Sequence, residues 1–135
     1  MSKAIDVSTK PRIVVTEADY IRLTNLVAAV RERSPDVADE LQIEMARASI
    51  ADADSISPDV VRMGSIVTFQ SDSASRRRVE LVFPVDADIT KGKVSILTPI
   101  GTALIGLSVG QSIEWRSRDG RSHQLAVVSV EPPEG

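Results

Sequence analysis

Residues 94–115 have the sequence VSILTPIGTALIGLSVGQSIEW, in which short apolar runs are separated by one proline and three glycines. Pro99 favours an extended approach to the segment that follows, because proline fixes its own φ and disfavours helix in the preceding residue. Gly101 and Gly106 permit tight turns between the apolar runs. The stretch therefore predicts a strand, a helical turn over residues 102–107 that packs on a sheet, and a second strand.

The segment after Pro58 has more runs of this kind, rich in Val, Ile, Ser and Thr and separated by turn residues. Such spacing is typical of a small antiparallel sheet. Asp119 and Gly120 predict a hairpin turn, because an Asp-Gly pair readily supplies the positive φ values of a tight turn. The strand candidates are residues 65–70, 78–83, 93–97, 112–117 and 124–131.

The segment before Pro58 has helical periodicity instead. Thr16 can cap a first helix that Pro35 ends, and a second helix runs from Pro35 or Asp36 to Ala53. Because so few residues separate the helices, they should form a short antiparallel hairpin, or coiled coil. Its apolar stripes are Tyr20, Leu23, Val27 and Val30 on the first helix, and Ala38, Leu41, Met45 and Ala48 on the second.

These patterns predict an α+β protein in four parts. They are an N-terminal tail (1–15), the helical hairpin (16–57), an antiparallel β-sheet domain with a short helix (58–131) and a C-terminal tail (132–135).

Composition restricts the function classes. The net charge is −3, all of it before Pro58, and only four residues are aromatic, so direct sequence-specific binding of nucleic acid is not expected. The chain has no cysteine, and neither a membrane-spanning apolar run nor a signal peptide is evident. We therefore expect a cytoplasmic protein that does not bind membranes.

The deciding stretch, together with DVVRMGSIVTF at residues 59–69, resembles the C-terminal domain of the GreA/GreB transcription elongation factors. The resemblance covers most of residues 58–131. It implies an FKBP-like domain that docks on RNA polymerase at the entrance of the secondary channel, with the helical hairpin pointing inward. It also implies that the loop touching the polymerase is Thr98, Pro99, Ile100 and Gly101. Prolyl isomerase activity is not expected, because that chemistry uses an aromatic-lined pocket.

The hairpin is much shorter than the coiled coil of the cleavage factors, which is typical of the Rnk type (regulator of nucleoside diphosphate kinase) within this superfamily. The predicted tip comprises Ser34, Pro35, Asp36, Asp39 and Glu40. Paired carboxylates can bind Mg²⁺, although acidic residues in a first helical turn are also common for dipole reasons. We expect a regulator that occupies the channel and competes with GreA or GreB, and that is not an enzyme. No catalytic residue, metal or cofactor is expected.

Two alternatives remain open. One is a Gre-type cleavage factor acting through the tip acids, and the other is a generic protein-interaction module, for example for a nucleoside diphosphate kinase. Arg76, Arg77 and Arg78 are predicted to end a polar hairpin loop that could meet phosphates or an acidic protein surface. His123 has no serine or carboxylate constellation near it in sequence, so it is interpreted as a strand residue facing water. No glycine spacing typical of nucleotide-binding loops is present.

Overall fold

A computed structural model of the chain describes residues 11–72 and 76–133. Helices near the N-terminus precede a five-stranded sheet, which confirms the α+β class. Two 3₁₀ turns, Pro84–Asp86 and Ile89–Lys91, connect the second and third strands of that sheet. The other elements are β1 Val14–Thr16, α1 Glu17–Val30, α2 Pro35–Arg47, β2 Ser49–Ala51, β3 Ile66–Ser71, β4 Arg76–Val82, β5 Lys93–Ser95, α3 Pro99–Leu104, β6 Ser112–Arg116 and β7 Ser122–Glu131.

The first helix begins where the sequence predicts. The Thr16 hydroxyl accepts a hydrogen bond from the backbone N–H of Asp19 at 3.1 Å, which satisfies one of the free donors at the helix N-terminus. Residues 31–34 connect α1 to α2, and the two helices pack on each other. Most of the predicted stripe residues are buried: Leu23, Val27, Val30, Ala38, Leu41 and Met45.

The second helix ends earlier than predicted, at Arg47 and not at Ala53. Its continuation forms β2, which pairs in parallel with β1, and the Ser49 N–H donates to the Ile13 carbonyl at 2.9 Å. The prediction was wrong here because it assigned residues 13–15 to a tail. That β-branched segment instead provides a strand partner whose backbone groups replace the helical hydrogen bonds.

The main sheet has the strand order β5-β4-β3-β7-β6. It is mixed, because β4 and β5 are parallel while the other pairs are antiparallel. The expectation of a purely antiparallel sheet was therefore wrong. The physical reason is the crossover through the two 3₁₀ turns, which brings the chain back so that β5 runs in the direction of β4.

Two local predictions also need correction. The helix after Pro99 spans Pro99–Leu104 and not residues 102–107, because the proline occupies the first helical turn, where its missing N–H costs nothing. Arg76 and Arg77 belong to β4 and not to a loop. Residues 73–75 of the predicted loop lie outside the described residues.

The hairpin and the sheet share one hydrophobic core. Ile13 and Leu23 from the N-terminal elements belong to the same buried cluster as Phe69 and Leu81 from the sheet. A buried hydrogen bond also joins the two parts: the backbone N–H of Met63 donates to a carboxylate oxygen of Asp19 at 3.1 Å. The hairpin is thus packed against the sheet domain.

Among the described residues, no helix is long and apolar enough to cross a membrane.

Candidate protein-docking site

The predicted partner-binding loop, residues 98–101, begins the short helix α3. The Thr98 hydroxyl donates to the Ser95 carbonyl at 2.8 Å and accepts from the Gly101 N–H at 3.0 Å. Thr98 is thus the N-cap of α3, and its hydroxyl holds the loop against the end of β5.

Gly101, the last residue of this loop, is buried. A Cβ atom added to it would lie 2.2 Å from the Ser95 carbonyl oxygen, a distance that no real Cβ contact shows. The φ of Gly101 lies in the ordinary range, so its backbone conformation does not require glycine. Glycine is required because the backbone of residue 95 approaches too closely for a side chain. Pro99 and Ile100 are half-buried, so they are the members of the loop that can offer apolar surface to a partner.

A cavity of about 620 Å³ opens beside Pro99 and Ile100. Its size lies within the usual range for binding sites on proteins. We call it the large cavity. Its apolar lining is Val79, Ala87, Ile89, Val94, Pro99, Ile100 and Trp115. Its remaining lining comprises Arg77, Arg78, Lys93 and Arg118, with Gly92, Ser95, Thr98 and Ser117.

The β6–β7 turn forms one wall of the large cavity and is fixed by side chains that lie far apart in sequence. His123 Nδ1 lies 3.0 Å from Asp72 Oδ2, and His123 Nε2 lies 3.0 Å from the Ser117 hydroxyl. The imidazole also stacks on Trp115, with ring centroids 4.7 Å apart. His123 is half-buried, and the structure therefore brings together a serine, a histidine and a carboxylate that the sequence did not connect.

This arrangement has the residue types of a catalytic triad but not its hydrogen bonding. The Ser117 hydroxyl donates to Asp119, so its proton is directed to a carboxylate and away from His123. A carboxylate at the serine oxygen would also repel the negative charge that develops in acyl transfer, where catalysis needs hydrogen-bond donors. The contacts instead secure the turn that carries Arg118.

Both carboxylates of this network are held in the charged form. The backbone N–H of Gln124 donates to Asp72 at 2.7 Å, and this bond is the main cause that lowers the pKa of Asp72. The hydroxyl of Ser117 is the main cause that lowers the pKa of Asp119, and the Arg121 backbone N–H adds to it. A hydrogen bond to the ionised form favours that form.

The predicted hairpin tip is not a single acidic cluster. Asp39 pairs with Arg31 across the hairpin at 2.7 Å, while Asp36 is exposed in the first turn of α2. Ser34 is the N-cap of α2 but makes no side-chain capping bond, and Pro35 is the first helical residue. Within residues 11–72 and 76–133, no group of three or more His, Asp or Glu side chains could hold a metal ion.

Glu40 lies away from the tip, in a smaller cavity of about 290 Å³ between α2 and the sheet domain. Pro99 and Trp115 line this cavity as well as the large one. The smaller cavity is completed by Ile43, Glu44, Thr102, Ala103, Ile113, Glu114 and Arg116.

Sequence reasoning missed most of the large cavity, whose lining comes from β4, β5, α3, β6 and the 3₁₀ segment. One signal was present: Val85 and Ile89 are apolar residues within a segment of turn-forming residues. Both are 88% exposed, and Ile89 lines the large cavity.

The comparison with known proteins identifies the class. The family model described as "Transcription elongation factor, GreA/GreB, C-term" matches residues 56–132, and the chain belongs to this family. A second family model, described as "Rnk N-terminus", matches residues 11–50. The two matches correspond to the sheet domain and to the N-terminal hairpin with its flanking strands.

The full-length similarities agree with that division. The chain is 32% identical to the "Regulator of nucleoside diphosphate kinase" of Escherichia coli K12, over 91% of each protein. It is 33% identical to the "Transcription elongation factor GreA" of Rhodopseudomonas palustris TIE-1, over 88% of this chain and 82% of that protein. A solved "Prokaryotic transcription elongation factor GreA/GreB from Nitrosomonas europaea" is 36% identical, with a TM-score of 0.72 over 89% of this chain and 99% of that one. The chain is therefore a regulator similar to transcription elongation factors.

Proposed function

We propose that this protein binds RNA polymerase in the cytoplasm, docks at the entrance of the secondary channel through its sheet domain, and competes there with Gre factors. In this proposal the sheet domain is FKBP-like and the antiparallel hairpin points inward. Residues 16–57 form the hairpin, residues 58–131 form the docking domain, and residues 1–15 and 132–135 are tails. The observation that supports it most directly is the position of Pro99 and Ile100 at the large cavity, next to the exposed Ile89. A protein partner can bury that apolar surface.

The proposed activity is occupancy and not transcript cleavage. The two helices contain 14 and 13 residues, so each arm is about 20 Å long at ~1.5 Å per residue. Asp39 is paired with Arg31, and Glu40 lies beside Pro99 in the smaller cavity. The acids that a cleavage factor would need at its tip therefore point to different neighbours, which favours a blocking role over the cleavage alternative.

The docking surface can be tested without disturbing the core. Ile89→Glu places a charge at a side chain that is 88% exposed and lines the large cavity. Ile50→Glu is the matched control, because Ile50 is 51% exposed on β2, outside the cavity. We expect Ile89→Glu to weaken binding to purified core RNA polymerase by about tenfold or more, since apolar contacts at the centre of interfaces dominate affinity. The control should bind as wild type does.

Competition and cleavage are measured in the same system. Wild-type protein should displace labelled GreA from core polymerase, Ile89→Glu should do so poorly, and neither should stimulate cleavage in a backtracked complex. Absence of wild-type binding would refute the polymerase proposal and leave the generic interaction module. Cleavage that is lost in Asp36→Asn would instead establish the Gre-type alternative.

A further inference from the structure

The large cavity combines apolar surface with charge of a single sign. Four of its lining residues are Lys or Arg, and none of its described lining residues is Asp or Glu. The protein as a whole is acidic, with a net charge of −3, so this local excess of positive charge is not a consequence of composition.

Three of these cations have no carboxylate partner among the residues that the structure describes. Arg78 forms an ion pair with Glu131 at 2.9 Å, whereas Arg77, Lys93 and Arg118 form none with the described part of the chain. Arg118 donates to the Leu97 carbonyl at 3.3 Å, which leaves its charge uncompensated. An interface partner that carries carboxylates would supply the missing counter-charges.

The positions of these cations are set by the fold. Arg77 lies in β4 with its guanidinium 5.7 Å from the centre of the Phe69 ring, and Lys93 begins the neighbouring strand β5. Arg118 lies on the turn that Ser117 and His123 secure. The three charges therefore belong to two strands and a hydrogen-bonded turn around the apolar residues.

We propose that the large cavity recognises a protein segment in which an apolar side chain is flanked by carboxylates. This inference rests on the proposed function, since it specifies the chemistry of the partner at the same site. The apolar side chain fills the space beside Ile89, Ile100 and Trp115, and the flanking acids meet the three unpaired cations. Phosphates could meet the same cations, but a nucleic acid would find only Trp115 as an aromatic residue in the lining.

Charge reversal on one strand provides a matched test. Arg77→Glu reverses a charge in the cavity, and Arg76→Glu makes the same change at an exposed neighbour that does not line it. Arg118→Glu is a second test on a different element. We expect Arg77→Glu and Arg118→Glu each to weaken binding to core RNA polymerase roughly tenfold and to reduce its salt dependence, while Arg76→Glu stays within about twofold of wild type. Circular dichroism and the urea midpoint of each variant verify that it is folded.

A test that does not use polymerase separates this inference from the proposed function. Two synthetic helical peptides without tryptophan carry the same central leucines, flanked either by Glu or by Lys. Trp115 is the single tryptophan of the chain and lines the cavity, so its emission should change when the cavity is occupied. Because Trp115 also lines the smaller cavity, the same titration with Arg77→Glu and Arg118→Glu, which should lose the change, assigns the binding to the large cavity. We expect the Glu-flanked peptide to change Trp115 emission and to bind at least about tenfold more tightly than the Lys-flanked peptide at low salt.

The outcomes are distinct. Polymerase binding that is insensitive to Arg77→Glu and Arg118→Glu, with no preference for the acidic peptide, overturns the inference and leaves the proposed function. Failure of wild type to bind polymerase refutes the proposed function, while a preference for the acidic peptide would still support the stated partner chemistry. An RNA oligonucleotide that competes with the acidic peptide and binds more tightly than it also overturns the inference.

Discussion

The two cavities that share Pro99 and Trp115 have opposite charge. The large cavity is lined by four cations and no carboxylate among its described residues, whereas the smaller one is lined by three glutamates and a single arginine, Arg116. Pro99 and Trp115 therefore lie between the large cavity, which suits an acidic partner, and the smaller cavity, which is an acidic cleft between the hairpin and the sheet domain. The contrast indicates that charge on this protein is organised by location, which the small net charge conceals.

The two cavities also differ in what holds their walls. The smaller cavity lies between two separate parts of the chain, so it depends on how firmly α2 and its hairpin are packed against the sheet. The large cavity lies within the sheet domain, and one wall is the turn secured by Asp72 and His123. A substitution in an element that lines both cavities should affect both of them, whereas a substitution in a wall of one cavity should affect only that cavity.

Gly101→Ala should produce the largest effect, because Gly101 lies in α3, the helix whose Pro99 lines both cavities. The added Cβ would be 2.2 Å from the Ser95 carbonyl oxygen, which is backbone and cannot move cheaply. We expect a loss of about 3 kcal/mol in the free energy of unfolding, measured by urea denaturation, and this exceeds the ~1 kcal/mol by which alanine favours a helix.

Gly110→Ala is the matched control for this change. Gly110 has open space around it but a φ of +92°, so alanine there meets strain without a clash. The expected loss is about 1–2 kcal/mol. If Gly101→Ala were no more destabilising than Gly110→Ala, the close approach beneath α3 would be relaxed in solution and the two cavities would not share a rigid wall.

Asp19→Ala should have an intermediate effect on the free energy of unfolding, because it removes a hydrogen bond between the hairpin and the sheet domain. The backbone N–H of Met63 donates to Asp19 Oδ2 at 3.1 Å and would lose this buried acceptor. Leaving a buried donor unpaired costs about 2 kcal/mol, and Asp19→Asn should cost less because an amide oxygen can still accept. Urea unfolding measures both losses, and amide hydrogen exchange should show faster exchange at Met63 in the alanine variant. Equal losses for the two variants would contradict the role assigned to this hydrogen bond.

The elements that sequence predicted well are those with strong local signals. The Thr16 cap, the buried stripe of α1 and the Asp119-Gly120 turn each depend on residues close in the chain, and the structure contains all three. Gly120 has the positive φ of +87° that such a turn requires. Local hydrogen bonding and periodicity are sufficient for these features.

Features that join distant residues could not be predicted in this way. The end of α2 at Arg47 depends on a strand partner 35 residues earlier, since Ser49 pairs with Val14. The parallel arrangement of β4 and β5 depends on a crossover whose path no local pattern specifies. The network around His123 joins residues 51 positions apart, and the predicted tip acids diverge because α2 packs on both α1 and the sheet domain. Such contacts are decided by tertiary packing.

Lowering the pH should have the smallest effect on stability. The groups involved lie at the β6–β7 turn, which forms one wall of the large cavity. The pKa values of Asp72 and Asp119 are lowered by the Gln124 backbone N–H and the Ser117 hydroxyl, respectively. A carboxyl group whose pKa is lower in the folded state stabilises fully above its unfolded pKa and loses that contribution as the pH falls through the folded value. Stability measured by urea denaturation should therefore decrease as the pH is lowered below about 4, and both Asp72→Asn and Asp119→Asn should make that decrease shallower.

Ser117→Ala should reproduce the effect of Asp119→Asn because it removes the hydroxyl that favours the ionised form of Asp119. If the acid dependence of all three variants were the same as that of the wild type, the turn would not be secured by these carboxylates, and the contrast between the walls of the two cavities would lose its physical basis.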